Sequence, residues 1–443
     1  MTALVVLLAV LPLVIRQRRH NSRIRAKLLR AVQLGINETI SLHPVVDDGL
    51  CIGCEECVRG CPEEDVLATY QNKAVVVDGI ECVGHGVCER VCPVGAITLV
   101  VGTEQRGLEL PRLTEHFETN VPGVYVVGEL GGMGLIRNAI WQASQALEHI
   151  KHQKRATPAG GVELLIVGAG PAGMAAALSA RAAKISFRII EQEALGGSML
   201  HYPRRKLVMT HPAVLPGIGP FPFKEVEKEP LLAFWKDMAA KHDIRVEERS
   251  SLLGLERRGD DLLAKTTQGE IVARRVVLAL GRRGTPRKLE VPGEESAKVY
   301  YRLIDAHLYE MKKVAVIGGG SAGIEAALAL AEQQGTRVTL VHRRENFAGA
   351  RAALIEKLMV AEKENKLEVF RNTATRRIEA DKVVFDVAGT EVERPNDFVF
   401  VMVGGVPPFD LLKKAGVDLQ TKFGAPLRSR RSRWSGSFRA TKL

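Results

Sequence analysis

Residues 162–193 read VELLIVGAGPAGMAAALSARAAKISFRIIEQE, and residues 312–345 read KKVAVIGGGSAGIEAALALAEQQGTRVTLVHRRE. Each is an apolar strand pattern, a glycine-rich turn, an alanine-rich helix and a second strand, in that order. The first turn carries Gly168, Gly170 and Gly173 in GxGxxG spacing, and Gly318, Gly320 and Gly323 repeat it. Glycines at these places permit a tight turn, close approach of the backbone to a pyrophosphate and close packing of helix on strand. The pyrophosphate then rests on the positive end of the helix dipole. Pro171 and Ala172 open the first helix and Ser321 the second, which puts them beside the same phosphates. One such motif is weak evidence; two in tandem, each following a strand, predict an α/β chain with tandem doubly wound, Rossmann-like domains.

The two units end differently. Glu191 closes the strand that follows the first turn, where an acid is expected to bind the adenosine ribose hydroxyls. The corresponding strand of the second unit ends in His342, Arg343 and Arg344. Arginine there pairs with a 2′ phosphate, so the second site is expected to hold NADPH; the plain alternative is two arginines on a solvated strand end. Between the units, residues 271–281 (IVARRVVLALG) alternate and then become fully apolar, as a strand ending near a ligand at Gly281 would.

Working outward, all seven cysteines fall between residues 51 and 92. They form CIGCEECVRGCP (51–62) and CVGHGVCERVCP (82–93), a repeated CxxCxxCxxxCP in which His85 takes the second ligand position of the second run. A disulfide framework would be spread differently, and zinc would leave the CxxxCP arms unexplained. Three closely spaced ligands can wrap one cubane while the fourth cysteine turns toward the other, so the pattern predicts crossed ligation. Cluster one would use Cys51, Cys54, Cys57 and Cys92; cluster two would use Cys82, His85, Cys88 and Cys61. A neutral imidazole in place of an anionic thiolate should raise the second potential. Alternatively His85 is only a loop residue and the second cluster is [3Fe-4S].

The chain has 443 residues with 46% hydrophobic and 26% charged, which excludes disorder and a polytopic membrane protein. Its formal charge of +11 is concentrated in two flanks, at Arg16, Arg18, Arg19, Arg23, Arg25, Lys27 and Arg30 and again from Arg428 to Lys442. Elsewhere basic and acidic residues balance, so no nucleic-acid surface is expected. Residues 3–15 are apolar throughout and are followed by the first basic flank. We read this hydrophobic helix as a marginal transmembrane anchor that would place the chain on the cytoplasmic face of the cell membrane, a peripheral helix being the alternative.

The expected divisions are an anchor and basic linker (1–33), a small α+β cysteine module (43–103), a strand, glycine turn and helix (107–157), a first Rossmann domain (160–295), a second (296–405) and an atypical basic tail (406–443). Within 107–157, VYVVGEL (124–130) is an apolar strand ending in Gly128 and Glu129, followed by an amphipathic helix opening at Arg137 and Asn138.

The cysteine module resembles bacterial two-cluster ferredoxins, which implies two [4Fe-4S] clusters. The tandem fingerprints resemble the thioredoxin reductase-like class of pyridine nucleotide flavoproteins. That resemblance implies FAD in the first unit, NADPH in the second with HRR at 342–344, and a joining turn at 278–294 (LALGRRGTPRKLEVPGE). VYVVGEL resembles the motif that normally closes such chains, in which Gly-Asp contacts the FAD ribitol; Gly128 and Glu129 occupy those positions. Here the motif precedes the first fingerprint. Either it fills the FAD site from another place in the sequence, or a natural end has been lost. Ala172 and Ala322 stand where the class's disulfide reductases can carry a redox cysteine, so dithiol chemistry is not expected. GGSM at 196–199, including Gly197, and His201, Tyr202, Arg204 and Arg205 after it fall where the class approaches the isoalloxazine. His211, Trp235, Glu55 and Glu56 read as ordinary packing or solvated residues.

The expected function is electron transfer among NADPH, FAD and the clusters, to or from a quinone, a ferredoxin or a partner enzyme, with a homodimer as one assembly open to the chain. Rivals are direct reduction of a small substrate at the flavin and a non-catalytic redox sensor or docking subunit.

Overall fold

The computed structural model describes residues 2–37, 41–63, 65–132, 134–153, 156–209, 213–223, 225–282 and 285–426. The chain forms two compact units, Met1–Leu108 with Thr421–Leu443, and Glu109–Gln420. His211 and the basic tail positions from Arg428 onward lie outside the described residues.

The first unit opens with one continuous helix, Thr2–Leu34. Its basic half is not a free linker. Ile24 and Ala31 are buried, His20 Nε2 lies 2.8 Å from the Thr69 carbonyl oxygen, Asn21 Oδ1 accepts the Gln71 N–H and Lys27 pairs with Asp65. Among the described residues no helix is long and apolar enough to cross a membrane. The spanning anchor expected from sequence is therefore not supported. Arg16 ends the apolar run at thirteen residues, about 20 Å of helix against the about 30 Å of a bilayer core.

The cysteine module behind this helix is a duplication in three dimensions. His43–Val46 pairs antiparallel with Ile97–Val101, and Leu67–Tyr70 forms a hairpin with Lys73–Val76. Between them sit two matching short helices, Glu56–Gly60 and Val87–Val91, capped by Glu55 at φ 65° and Gly86 at φ 72° and ending at Cys61 and Cys92. A strand of two residues, Ala425–Pro426, adds to Ile97–Val101 from the far end of the chain.

In the second unit the first fingerprint builds a sheet in the order Val246–Glu247, Phe187–Ile190, Val162–Val167, Gly269–Leu278, Asp261–Thr266, Leu252–Arg258. The first four strands are parallel. Val124–Val126 also joins this sheet, parallel to the last three residues of Gly269–Leu278 in the register Val276↔Val124 and Leu278↔Val126. The strand of the 107–157 segment extends the FAD-type sheet, and helix Ile136–His152 shares a core with the fingerprint helix Pro171–Ala182. The opposite face is covered in part by Leu412 and Val417, around helix Phe409–Lys414. Residues 406–420, assigned from sequence to an atypical tail, are therefore part of this core. The early strand and the late helix meet on one sheet, which is why a segment far out of its usual order can be fully buried.

The second fingerprint builds a parallel sheet ordered Val299–Tyr300, Phe398–Val401, Lys313–Ile317, Arg337–Val341, Glu368–Phe370. An antiparallel meander, Thr373–Ile378, Lys382–Val387 and Thr390–Pro395, packs against it.

Candidate functional site

The two glycine turns are the same device made twice. Gly168 has φ +104°, and a Cβ there would stand 2.5 Å from the Ala279 carbonyl oxygen; Gly318 has φ +127°, with the Met402 oxygen at 2.4 Å. A Cβ on Gly173 would lie 1.7 Å from the Gly168 oxygen, and one on Gly323 1.8 Å from the Gly318 oxygen. These glycines are required by close approach of helix to turn. The middle glycines, Gly170 and Gly320, face open space, and helices Pro171–Ala182 and Ser321–Ala331 start directly after them. Each turn thus presents open backbone at a helix start, the arrangement a pyrophosphate needs.

Around the first turn, Glu191 is buried, and its Oε2 accepts the Ala169 N–H at 2.7 Å while Oε1 accepts the Glu193 N–H at 3.2 Å. Burial pushes its carboxyl above the ordinary value, with the backbone donors opposing. A carboxylate has lone pairs beyond those two bonds, so it fits both the turn and a ribose. Gly197 brings its backbone against Gly170 and the Glu191 carboxylate. Gly281, at φ +64°, follows the central strand.

Gly128 reaches the same edge from the early segment. Its φ of 85° and ψ of −154° suit glycine alone, and a Cβ would meet that of Ala172 at 3.1 Å. Its N–H donates to Oε1 of Gln142, a fully buried side chain, at 2.6 Å. Glu129 opens the short helix Glu129–Gly131 and lies within electrostatic reach of Arg282. Neither Gln142 nor Arg282 was singled out from sequence. Arg282 had a signal, its place directly after Gly281; Gln142 had none, because its contact depends on how two elements pack.

At the second turn, Arg343 and Arg344 are exposed, and their guanidinium groups have no hydrogen-bond or ion-pair partner among the described residues. Two unpaired cations beside a dinucleotide turn fit a 2′ phosphate. His342 faces inward: its ring stacks on Phe347 at 4.9 Å and packs against Gly319, which suits it to support the loop.

His201 and Arg204 are brought to the second Rossmann unit. His201 Nε2 is 2.6 Å from Glu193 Oε2, Arg302 Nη1 is 2.7 Å from His201 Nδ1, and Arg204 pairs with Asp305 at 3.2 Å. Burial pulls the His201 imidazole below its ordinary value, with Arg302 reinforcing and Glu193 opposing. Tyr202 contributes its carbonyl to Lys228 Nζ, and the Arg205 N–H faces the Glu229 carboxylate. Trp235 is core, while Glu55 and Glu56 are exposed beside Arg59.

In the cysteine module all seven thiols are free of disulfides. One cleft is lined by Cys61, Cys82, His85 and Cys88 together, the set expected for cluster two. Cys57 feels the charge of Cys51 and Cys54, Cys82 that of Cys61, and Cys88 that of Cys82, Cys61 and Cys57. Cys92 and Cys51 accept backbone N–H groups from Ala96 at 3.2 Å and Ala74 at 3.4 Å. His85 Nε2 stands 3.5 Å from Glu63 Oε1. Burial raises the thiols of Cys57, Cys61 and Cys82 and pushes Cys88 up to about 12. Thiolates at these places therefore need a cation beside them, as bound iron would be. Among the described residues no three His, Cys, Asp or Glu side chains converge on a point fit for one metal ion; cluster ligands stand around an extended body.

Fold and sites together define a dinucleotide-binding flavoprotein joined to an iron–sulfur module. The chain belongs to the pyridine nucleotide-disulphide oxidoreductase family, whose family model matches residues 165–430, and residues 43–93 match a 4Fe-4S dicluster domain. It is an FAD-dependent NAD(P)H oxidoreductase with FAD, NADPH and 4Fe-4S clusters as its cofactors. It is 28% identical over 268 residues to a ferredoxin–NADP reductase of Ignicoccus hospitalis, covering 59% of this chain and 83% of that protein. It is 30% identical over 272 residues to one of Thermus thermophilus, covering 58% and 77%. Among solved structures, a bacillithiol disulfide reductase of Staphylococcus aureus aligns at a TM-score of 0.52 and 25% identity, over 58% of this chain and 81% of that one.

Proposed function

We propose that this chain passes electrons between NADPH and a one-electron protein carrier by way of FAD and its own two clusters. The observation that carries the reading is the distribution of thiols. All seven cysteines lie between residues 51 and 92, and Ala172 and Ala322 occupy the fingerprint positions where a flavin-linked thiol could stand. The outlet for reduced flavin is then the cluster module, which also disfavours a bacilliredoxin reductase-type reaction. Similarity to ferredoxin–NADP reductases supports the same direction of thought.

Bound FAD takes up an electron pair as hydride and releases electrons singly, the form in which iron–sulfur clusters carry them. The chain's residues do the rest. The turns at Gly168–Gly170–Gly173 and Gly318–Gly320–Gly323 would hold the two pyrophosphates, with Pro171, Ala172 and Ser321 at the helix starts. Glu191 and Gly197 would hold the FAD ribose side, and Gly128, Glu129 and Gly281 would flank the ribityl chain and ring. Arg343 and Arg344 would clamp the 2′ phosphate of NADPH. Cys51, Cys54, Cys57 and Cys92 would hold one cluster, and Cys82, His85, Cys88 and Cys61 the other.

The test is anaerobic purification followed by flavin, iron and sulfide quantitation on one sample, then NADPH-dependent reduction of cytochrome c and of ferricyanide. Stoichiometric FAD with about eight irons per chain is expected, and Cys82→Ala should lose cytochrome c reduction while keeping ferricyanide reduction. Cytochrome c reduction that survives Cys82→Ala would contradict the proposed route.

A further inference from the structure

The fold treats helix Thr2–Leu34 differently on the two sides of Arg16. After Arg16 the helix is tied down: Ile24 and Ala31 are buried, and His20, Asn21 and Lys27 bond to Thr69, Gln71 and Asp65. Before Arg16 it runs clear. Every residue from Val10 to Arg19 is exposed, Gln17 reaching Asn72 Oδ1 at 3.4 Å near the base of this stretch. Leu13 leaves 64% of its surface uncovered. Successive helix residues point about 100° apart, so Val10, Leu11, Leu13, Val14 and Ile15, with Pro12 among them, surround the axis instead of marking one stripe. A protein partner packs against a stripe, whereas a helix that is apolar all round is buried on every side, as in a bilayer. Charge separates the two occupants further. Thr2–Leu34 holds no acidic residue, and Arg16, Arg18, Arg19, Arg23, Arg25, Lys27 and Arg30 follow the apolar run. Arg16, Arg18 and Arg19 have no ion-pair partner among the described residues and are spread around the helix as a cationic collar. Two copies lying side by side through this end would set one collar against the other, while anionic headgroups would neutralise it.

We propose that the exposed end of this helix docks the chain on one leaflet of an anionic lipid bilayer, residues 10–15 entering the acyl region and Arg16, Arg18 and Arg19 lying among the phosphate headgroups. The contact is made from one side and does not span: the apolar run 3–15 gives about 20 Å of helix against the about 30 Å of a bilayer core. The arginine stems lie along apolar surface while their guanidinium groups reach the headgroups. Buried apolar area and attraction to anionic lipid then act together, as in monotopic elements. The contacts of Ile24, Ala31, His20, Asn21 and Lys27 fix the helix to the cysteine module, so docking holds that module at the lipid surface. This surface is independent of the nucleotide and cluster sites, and the electron path proposed above stands or falls without it.

The test is flotation of the purified holoprotein with vesicles of phosphatidylcholine alone and of phosphatidylcholine mixed with phosphatidylglycerol, at low and high salt. The parent should bind the mixed vesicles at least about tenfold more tightly than the neutral ones, with the difference shrinking at high salt. Replacing Arg16, Arg18 and Arg19 together by glutamine should remove that preference, and Leu13→Asp with Val14→Asp should weaken binding to the mixed vesicles at least about tenfold. Flavin and iron content should be unchanged in both variants, because the altered residues are exposed and lie outside the cofactor sites. If the aspartate variant loses cofactor, the arginine variant decides alone: loss of the anionic preference with cofactor intact supports the proposal, and retained preference overturns it. No flotation of the parent, or equal flotation of parent and variants, also overturns it. Sedimentation without lipid covers the rival occupant: a stable dimer that Leu13→Asp dissociates, in a chain that ignores both kinds of vesicle, would assign this end to a second copy and overturn the lipid assignment.

Discussion

The turns at 168–173 and 318–323 are held by the same clashes to within a few tenths of an ångström, yet the strands that follow them end in opposite charge. A buried carboxylate at Glu191 closes the first, and exposed cations at Arg343 and Arg344 close the second. The cysteine module shows the same relation: two short helices with matched caps, and one divergent position in the repeated spacing, Cys54 against His85. In both duplications the backbone is constrained by sterics and is repeated, while the chemistry differs at a side chain that the backbone leaves free. Specificity can therefore change without disturbing the cradle.

The most severe way to break the comparison is to add a methyl group where it cannot fit. Gly173→Ala should cost about 3 kcal/mol or more and abolish FAD retention, as forced overpacking does. Gly323→Ala should spare FAD and both clusters while abolishing reduction by NADPH. Flavin content and thermal denaturation of the two variants measure this, and equal losses of FAD in both would remove the distinction between the sites.

Next in size is the cysteine module. Cys61→Ser should damage the EPR signal of the second cluster and spare the first, since Cys61 shares a cleft with Cys82, His85 and Cys88. His85→Cys should lower that cluster's potential by on the order of 100 mV, a thiolate replacing a neutral ligand. An unchanged potential would show that His85 is not a ligand.

Replacing Arg343 and Arg344 together by alanine should move preference from NADPH toward NADH by about 1 to 3 kcal/mol, the worth of lost charge-assisted pairs. Steady-state kcat/KM for the two nucleotides reads this directly.

The smallest effect belongs to Glu191. Burial raises its folded value, so the folded chain holds that proton more tightly than the unfolded chain. The resulting contribution to stability is present below the ordinary carboxylate value and is lost as pH rises through the raised one. Glu191→Gln should therefore flatten this part of the pH profile and leave the FAD-free chain no less stable at neutral pH. Denaturation midpoints across that range would show it, and clear destabilisation at neutral pH would mean that the two backbone bonds outweigh burial.

Much of the molecule was legible because its signals are local. GxGxxG after a strand encodes a turn within a few residues, and cysteines at fixed spacing announce a repeated unit within a dozen. What was not legible depends on contacts between distant segments. Nothing in VYVVGEL announces that Val124 pairs with Val276, or that Leu412 and Val417 close the same core. The first helix misled for a related reason. Its apolar residues read as an anchor, whereas Ile24 and Ala31, two turns apart on one face among arginines, are buried, and His20, Asn21 and Lys27 bond to the cysteine module at Thr69, Gln71 and Asp65. The stacking of His342 on Phe347 likewise depends on a side chain five residues away that the HRR pattern does not reveal.

The most direct measurement is an anaerobic titration of the intact chain with NADPH, following flavin bleaching and cluster EPR on one sample. The account predicts that flavin is bleached and reduced-cluster signals then grow in the same molecules, with Cys61→Ser losing one of them. Bleached flavin beside clusters that stay oxidised but are readily reduced by dithionite, or metal analysis showing zinc where iron is expected, would contradict it.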